Sequence, residues 1–352
     1  MIKRFTFLMI TVALLIVFTG CAQNAGGGGR ASGAEQVESS EAIPATSQNS
    51  APPPEPVEIR IGGLKGPTSM GMVKLLKDAE QKQSYYTYDF TLAGAADELT
   101  PKLINGELDI AAVPANLASA LYNNTGGKIK LLAINTLGVL YIVEKGENVK
   151  TLSDLKGKTI FATGRGTAPE YALNYLLVEN GIDPGKDVVI EWKNEPTEVV
   201  ALMAQNQASI AMMPQPYVTV AQGAIENLRI AIDLTKEWDA LNTESMLLTG
   251  VLIIRSEFAD GNPDQIAKFL EEYKASTEFV NANIKEASIL IEEFDIVKAD
   301  VAEKALPFCN IVFYAGDDMK TAMHGYLEAL YNQNPQSVGG TMPDDNFYYG
   351  AQ

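Results

Sequence analysis

Chemistry in this chain rests on hydroxyls, amides, two cations and a few rings that follow short apolar runs. The first set is Lys65, Thr68, Ser69 and Met70, in the stretch Ile59-Arg-Ile-Gly-Gly-Leu-Lys-Gly-Pro-Thr-Ser-Met-Gly-Met72. Val57–Ile61 alternates as a strand does, Gly62, Gly63 and Gly66 read as a turn, and Pro67-Thr68-Ser69 opens a helix. Glycines let the backbone approach a ligand, and a new helix offers N–H groups with partial positive charge. Such a joint cradles a small anion or another hydrogen-bond acceptor. The layout returns at Thr163-Gly-Arg-Gly-Thr-Ala-Pro169, which adds Arg165, Gly166 and Thr167. The Arg165 guanidinium is suited to clamping an anion or stacking on a ring.

Further candidates stand where later strands end. Asn116 opens a helix after Pro114, and Gln215 and Tyr217 do so after Pro214. Asn135 and Thr136 close a strand near an expected hinge, while Asn194 and Glu195 occupy a turn in the second half. Two ligand classes divide these residues. Lys65, Arg165 and the hydroxyl-bearing helix starts favour an anion such as a sulfonate. Tyr217, Met70, Trp192 and the pair Asn194/Glu195 favour a flat heteroaromatic, stacked and read at its edge. Glu195 penalises an anion, so the balance leans to the heteroaromatic.

The familiar catalytic constellations have little to be built from. There is one histidine, His324, and there are two cysteines, Cys21 and Cys309, so no metal site, cofactor or Ser-His pair is expected. His324 on an amphipathic helix reads as a partly exposed structural residue, and Cys309 beside Phe308 and Ile311 as a buried small hydrophobe. Gly157-Lys158-Thr159 hints at a P-loop, but the required first glycine is Leu152 and a strand follows. Gly164-Arg-Gly-Thr-Ala-Pro169 lacks the third glycine of a dinucleotide fingerprint. Asp97, Glu170 and Glu195 fall on separate loops at no defined separation, which argues against a glycosidase.

Length and charge set wider bounds. A chain of 352 residues allows about two domains, and 46% hydrophobic with 20% charged residues is ordinary for a globular protein. A formal charge of −17 opposes sequence-independent nucleic-acid binding, which needs a basic footprint.

The elements that must position these residues alternate between strand and helix, which implies a parallel α/β sheet. A helix is expected over Met70–Ala79, a strand over Tyr85–Leu92, and a helix over Asp97–Ile104 with Pro101 near its beginning. Asn105–Pro114 and Asn206–Pro214 correspond, isoleucine preceding proline by the same interval (Ile110 and Pro114; Ile210 and Pro214). Each half thus offers three loops at the carboxyl ends of parallel strands, where open α/β sheets bind ligands. Two such edges facing each other form a cleft suited to hinge closure. Leu137–Val143 is the expected outward crossing and Met246–Arg255 the return, with Pro263–Gln333 mostly helical.

The N-terminus adds export. Met1–Gly20 has a basic start (Lys3, Arg4) and an apolar run, the layout of a signal peptide, and ends at Val17-Phe-Thr-Gly-Cys21. That ending resembles a bacterial lipobox, with Phe18 in place of the usual Leu, and implies lipidation at Cys21. Loss of Lys3 and Arg4 would take the charge from −17 to −19. Residues 22–56 are rich in Gly, Ser, Gln, Glu and Pro and read as a flexible tether.

Together, Leu64-Lys-Gly-Pro-Thr-Ser-Met-Gly-Met72, Gly106-Glu-Leu-Asp-Ile-Ala111 and Leu152-Ser-Asp-Leu-Lys-Gly-Lys158 resemble the substrate-binding lipoproteins of ABC importers. Gly164–Thr167 before a helix adds to the match, which covers Val57–Gln333. The resemblance is to the branch with the type II periplasmic-binding-protein fold that serves nitrate, alkanesulfonates, taurine and thiamine-pyrimidine precursors. It implies two lobes with a ligand cleft between them, two crossing strands, and capture and delivery to a membrane permease without catalysis. The expected bodies are lobe 1 (57–137 plus 249–352) and lobe 2 (138–248), after a signal peptide (1–20) and tether (21–56). A monomer anchored at the outer face of the cytoplasmic membrane follows, with an ABC permease and a small molecule as partners and no nucleic acid. A sensor ectodomain, or an enzyme on the same frame, are the rival readings.

Overall fold

The computed structural model describes residues 57–241 and 245–351. The signal sequence, Cys21 and the tether lie outside the described residues.

β1 (Glu58–Leu64) leads through α1 (Pro67–Met70) and α2 (Val73–Glu80) to β2 (Thr87–Ala93), and α3 (Ala96–Ile104) returns to β3 (Ile110–Pro114). α4 (Ala115–Thr125) and β4 (Ile129–Leu137) complete this half. The second half runs β5 (Leu140–Lys145), β6 (Thr159–Thr163), α5 (Ala168–Glu179), β7 (Val189–Lys193) and α6 (Pro196–Ala204). It continues with β8 (Ile210–Pro214), α7 (Tyr217–Ala224), β9 (Leu228–Asp233) and α8 (Leu234–Asp239). The chain then returns through β10 (Leu248–Arg255), α9 (Ser256–Gly261), α10 (Pro263–Ala282), α11 (Ile284–Glu293) and α12 (Ala299–Ala305). It ends in β11 (Ile311–Tyr314) and α13 (Gly316–Gln333).

The strands form two sheets, ordered β11-β4-β10-β3-β1-β2 and β7-β6-β8-β5-β9. β1 is parallel to β2 and β3, β6 is parallel to β7 and β8, and the next strand in each sheet is antiparallel. The two halves therefore repeat one motif in space as they do in sequence. Ile110–Val113 and Ile210–Met213 are buried throughout, as strands covered on both faces must be. After α3 and α6 the chain turns through Gly106 (φ 78°) and Asn206 (φ 59°), a left-handed position that these two residue types tolerate best.

Register fixes how the sheets meet. Thr136, at the end of β4, pairs with Gly250, which pairs on its other side with Pro114 at the carboxyl end of β3. After Gly138-Val139, β5 begins with Leu140 opposite Pro214, the carboxyl end of β8. Two residues thus carry the chain from the carboxyl edge of one sheet to the carboxyl edge of the other. On the return path, fully buried Trp238 lies between Tyr175 of α5 and Tyr326 of α13, at ring-centroid distances of 4.4 and 5.8 Å.

Four sequence expectations need correction. β1 extends to Leu64, so Gly62 and Gly63 belong to the strand; a Cβ at Gly63 would sit 2.2 Å from Ser69 Oγ, and close packing rather than turning explains the residue. The helix expected over Met70–Ala79 is broken, because Ser276 Oγ donates to the Gly71 carbonyl (2.7 Å) and accepts from Leu75 N–H (3.0 Å). Pro101 sits in the interior of α3 instead of its first turn. The C-terminal region also contains β11, an edge strand against β4.

A buried carboxylate locks each sheet at the edge away from the crossing. Asp109, 2% exposed, accepts from Arg60 N–H (3.1 Å), Nε (2.9 Å) and Nη2 (2.6 Å) and from Arg255 Nη2 (2.8 Å), tying β1, β3 and β10. Glu144 of β5 accepts from the Asn148 and Val149 N–H groups and from Arg229 (2.5 Å). Burial pushes the Asp109 carboxyl up, but its bonds to Arg60 and Arg255 outweigh this and hold it below the usual carboxylate range. The contribution is therefore present above the unfolded pKa of about 3.9 and is lost as pH falls through the lower folded value. Asp109→Asn should lower unfolding free energy near neutral pH by about 3–5 kcal/mol, since it strands two guanidinium partners. Urea melts from pH 7 to 3 should also show a shallower acid loss in the variant than in the parent chain.

Candidate functional site

The carboxyl edges of the two sheets bring together most of the residues that the sequence singles out. On the first, Lys65 is exposed just beyond β1, and its N–H donates to the Ala93 carbonyl (3.0 Å). Ser69 is buried and its Oγ donates to the Leu64 carbonyl (2.7 Å), which closes α1 onto the strand it follows. Asn135 Nδ2 donates to the Thr68 carbonyl (3.0 Å), and Thr136 Oγ1 donates to Asn135 Oδ1 (3.0 Å). Thr68, Asn135 and Thr136 are all buried, and Thr68 Oγ1 has no partner among the described residues. Buried hydroxyls are costly to leave unpaired, so this edge has hydrogen-bonding capacity to offer.

Two expected wall residues face elsewhere. Met70 is wholly buried in an apolar cluster with Val73, Val280, Ile291 and Ile311. Asn116, 3% exposed, donates from Nδ2 to the Ser337 carbonyl (3.0 Å), and Ser119 and Asn123 of the same helix bond the Val338 carbonyl. This face of α4 therefore anchors the C-terminal segment, although Asn116 Oδ1 stays unpartnered among the described residues.

On the second edge, Arg165 and Gly166 are exposed in the β6–α5 turn and Thr167 Oγ1 donates to the Gly164 carbonyl (2.7 Å). Asn194 and Glu195 are exposed in the β7–α6 turn, with Thr197 Oγ1 donating to Glu195 (3.2 Å). Gln215 is buried. Its Oε1 accepts from Thr219 N–H and Oγ1 (3.3 and 2.9 Å), and its own N–H donates to the Val139 carbonyl (3.0 Å). Tyr217 is half-buried at the start of α7. Burial raises its phenol pKa, and the negative charge of Glu195 raises it further. Trp192 is half-buried on β7, next to Lys193, whose ammonium lies 5.5 Å from the Phe161 ring centre.

Sequence reasoning missed two contributors. Thr249 and Gly250 open β10 at the same edge, Thr249 with a buried, unpartnered Oγ1 among the described residues. A groove of about 680 Å³ passes from Gln215 and Thr219 to Asp300, Lys304 and half-exposed Phe308 of the α12 region. Phe308 carried no pattern signal, because only the return of α12 across the crossing brings it near α7. His324 is exposed on α13 and lines a separate hollow of about 670 Å³ with Tyr175 and Glu328, which shares no residue with the strand edges. Cys309 is fully buried, and burial pushes its thiol up to about 12. Among the described residues no group of three His, Cys, Asp or Glu is arranged to hold a metal, and no helix is long and apolar enough to cross a membrane.

A paired β2-β1-β3 and β7-β6-β8 frame joined at a short crossing makes the fold, and the family model described as NMT1/THI5 like matches residues 91–287. The chain belongs to the NMT1/THI5-like family. A curated relative of this NMT1/THI5-like chain, a binding protein of Brucella abortus (strain 2308), is 25% identical over 213 residues, 58% of this chain and 64% of the relative. The match thus spans less than two thirds of the curated relatives' length. Among solved structures, an ABC transporter protein from Parabacteroides distasonis superposes with a TM-score of 0.69 at 23% identity, covering 83% of this chain and 98% of that one. The periplasmic aliphatic sulphonate binding protein of Escherichia coli gives 0.65 at 18% identity, covering 81% and 96%. At these identities the likeness is one of fold, two-lobed and mixed α/β, as the sequence resemblance implied.

Gly250 is closely packed at this edge. A Cβ there would lie 2.3 Å from Thr68 Cγ2 and 2.8 Å from Asn135 Oδ1. Gly250→Ala should destabilise the fold by about 1–3 kcal/mol by overpacking. Adding Thr68→Ser, which removes the clashing methyl, should recover part of that loss in urea or thermal melts.

Proposed function

We propose that this chain is the substrate-binding component of an ABC importer. It captures a small polar or heteroaromatic molecule, of the kind of a thiamine-pyrimidine precursor, by closure of lobe 2 (138–248) on lobe 1 (57–137 plus 249–352). The closed form is then presented to a membrane permease, with the protein exported and held by a lipid at Cys21 through the tether. The observation that carries this reading is the two-residue crossing, which joins the carboxyl edges of the two sheets and would serve as the hinge. The family and the fold of its solved neighbours support it. Tyr217, half-buried at the start of α7, and Glu195, exposed in the β7–α6 turn, support the heteroaromatic, the ring for stacking and the carboxylate for reading a donor edge. The residues favour binding over catalysis: Ser69 Oγ is engaged by a carbonyl rather than a base, and Cys309 is buried.

A second reading takes the same role for an anion such as a sulfonate, taurine or nitrate. Lys65 and Arg165 favour it, being exposed and free of ion pairs among the described residues.

Native mass spectrometry of the gently purified full chain should reveal a co-purified molecule whose mass separates the two classes. With that ligand at 100 times its dissociation constant, the fold should gain about 2.7 kcal/mol. Small-angle scattering should show compaction, and an unchanged radius with bound ligand would sink the closure reading. Tyr217→Ala should weaken a stacked ring by roughly 5- to 150-fold, as loss of about 1–3 kcal/mol of stacking requires, and should hardly affect nitrate.

A further inference from the structure

The groove between α7 and the α12 region is built from both halves of the chain. Its volume of about 680 Å³ lies within the range of about 300–1,000 Å³ usual for small-molecule sites. Gln215, Thr219 and Val220 supply one wall, and Val301, Lys304 and Phe308 the other. Tyr141 Oη of β5 donates to the Phe308 carbonyl (3.4 Å), which ties the backbone of the second wall to the strand that opens the other half. The Phe308 side chain itself is 50% exposed. An aromatic ring left half in water on a groove wall has apolar surface that a bound ring would cover, and its face favours an offset or edge-on aromatic partner.

Gln215 faces this ring's groove with an amide of fixed orientation. Its Oε1 accepts from Thr219 N–H (3.3 Å) and Thr219 Oγ1 (2.9 Å), and a backbone N–H can pair only with the oxygen, so Nε2 is the end that points away. Nε2 has no partner among the described residues. Gln215 is 1% exposed and lines the groove, so the little of it that reaches open space does so there. A donor held this way is left to water until an acceptor on a ligand replaces it. The charged side chains that line the groove are Asp300 and Lys304, one of each sign. They leave no net charge with which to select an anion.

We propose that this groove is a ring-binding subsite, in which Phe308 stacks on a neutral aromatic heterocycle and Gln215 Nε2 donates to an acceptor on its edge, a ring nitrogen or a carbonyl oxygen. The inference rests on the solute-binding reading above and deepens it: Phe308 becomes a stacking residue and Gln215 the group that decides the substrate class. Recognition here needs no charge. A sulfonate would find one amide donor, and a cation offset by a carboxylate. Tyr217 is not among the lining residues of this groove, so the two aromatic assignments are tested by separate variants.

Cytosine serves as the probe, being uncharged near neutral pH and carrying both a carbonyl and a ring-nitrogen acceptor, whereas aniline has the ring without them. Saturation-transfer NMR and titration calorimetry of the full chain should show saturable cytosine binding below about 10 mM, with aniline weaker by roughly tenfold. Phe308→Ala should weaken cytosine by roughly 5- to 150-fold, and Phe308→Trp should restore it. Both Phe308 variants should melt close to the parent, because the side chain is half exposed. Gln215→Glu keeps an oxygen for Thr219 and exchanges the free donor for an acceptor, so it should erase the preference for cytosine over aniline. No saturable cytosine binding by the parent, equal parent affinities for cytosine and aniline, or a Phe308→Ala variant with the parent's cytosine affinity each overturn the proposal. If Gln215→Glu fails to fold, the parent's preference and the Phe308 variants decide. Scattering separates this failure from that of the solute-binding reading. Compaction with a co-purified solute whose affinity Phe308→Ala leaves unchanged removes the groove assignment alone, whereas no compaction with any bound solute removes the solute-binding reading first.

Discussion

Gly138 and Val139 constrain everything else in this protein. The Gly138 carbonyl accepts from Asn310 Nδ2 (2.5 Å), the Val139 carbonyl accepts from Gln215 N–H (3.0 Å), and Leu137 N–H donates to the Asn310 carbonyl (3.1 Å). A Cβ on Gly138 would meet Thr235 Oγ1 at 2.1 Å, so only glycine fits this passage as it stands. A crossing this short keeps the end of β4 and the start of β5 close together. The carboxyl edges of both sheets are joined there.

Polarity is distributed in keeping with that geometry. The buried charges, Asp109 with its two arginines and Glu144 with Arg229, are at the far edges, where they tie strands within each half. The crossing edges carry buried hydroxyls and amides with exposed Lys65 on the first half, and exposed Arg165, carboxylates and a ring on the second. Far ends held by multiply bonded charge resist deformation. Edges held by single neutral bonds, with hydroxyl capacity left over, suit a site that must exchange a ligand for water. The Tyr175–Trp238–Tyr326 contact adds an apolar connection between the halves beside the return path.

The sequence exposed more of the fold than of the site. Ile110–Pro114 and Ile210–Pro214 announced the repeat because a strand buried on both faces must be continuously apolar, and proline ends it locally. The caps in which Glu98 accepts from Gly94 N–H and Glu198 from Asn194 N–H were also within reach, because each pair is four residues apart, a spacing fixed by helix geometry alone. Met70 and Asn116 were different. Each occupies a helix start where a side chain has two directions open to it, and the one taken depends on partners far away in the chain, Val280 and Ile291 for Met70 and Ser337 for Asn116.

What the sequence determined by itself was whatever depends on neighbours a few residues away: strand and helix periods, the caps, the paired halves and the family they belong to. Tertiary structure decided the rest. Ser276 broke a helix that its own residues would have continued, β4 converted Ile311–Tyr314 into an edge strand, and the C-terminal segment engaged the Asn116 amide nitrogen. In each case the deciding hydrogen bond is to a group distant in the chain. A buried polar group must find a partner, and only the folded chain determines which one lies within reach.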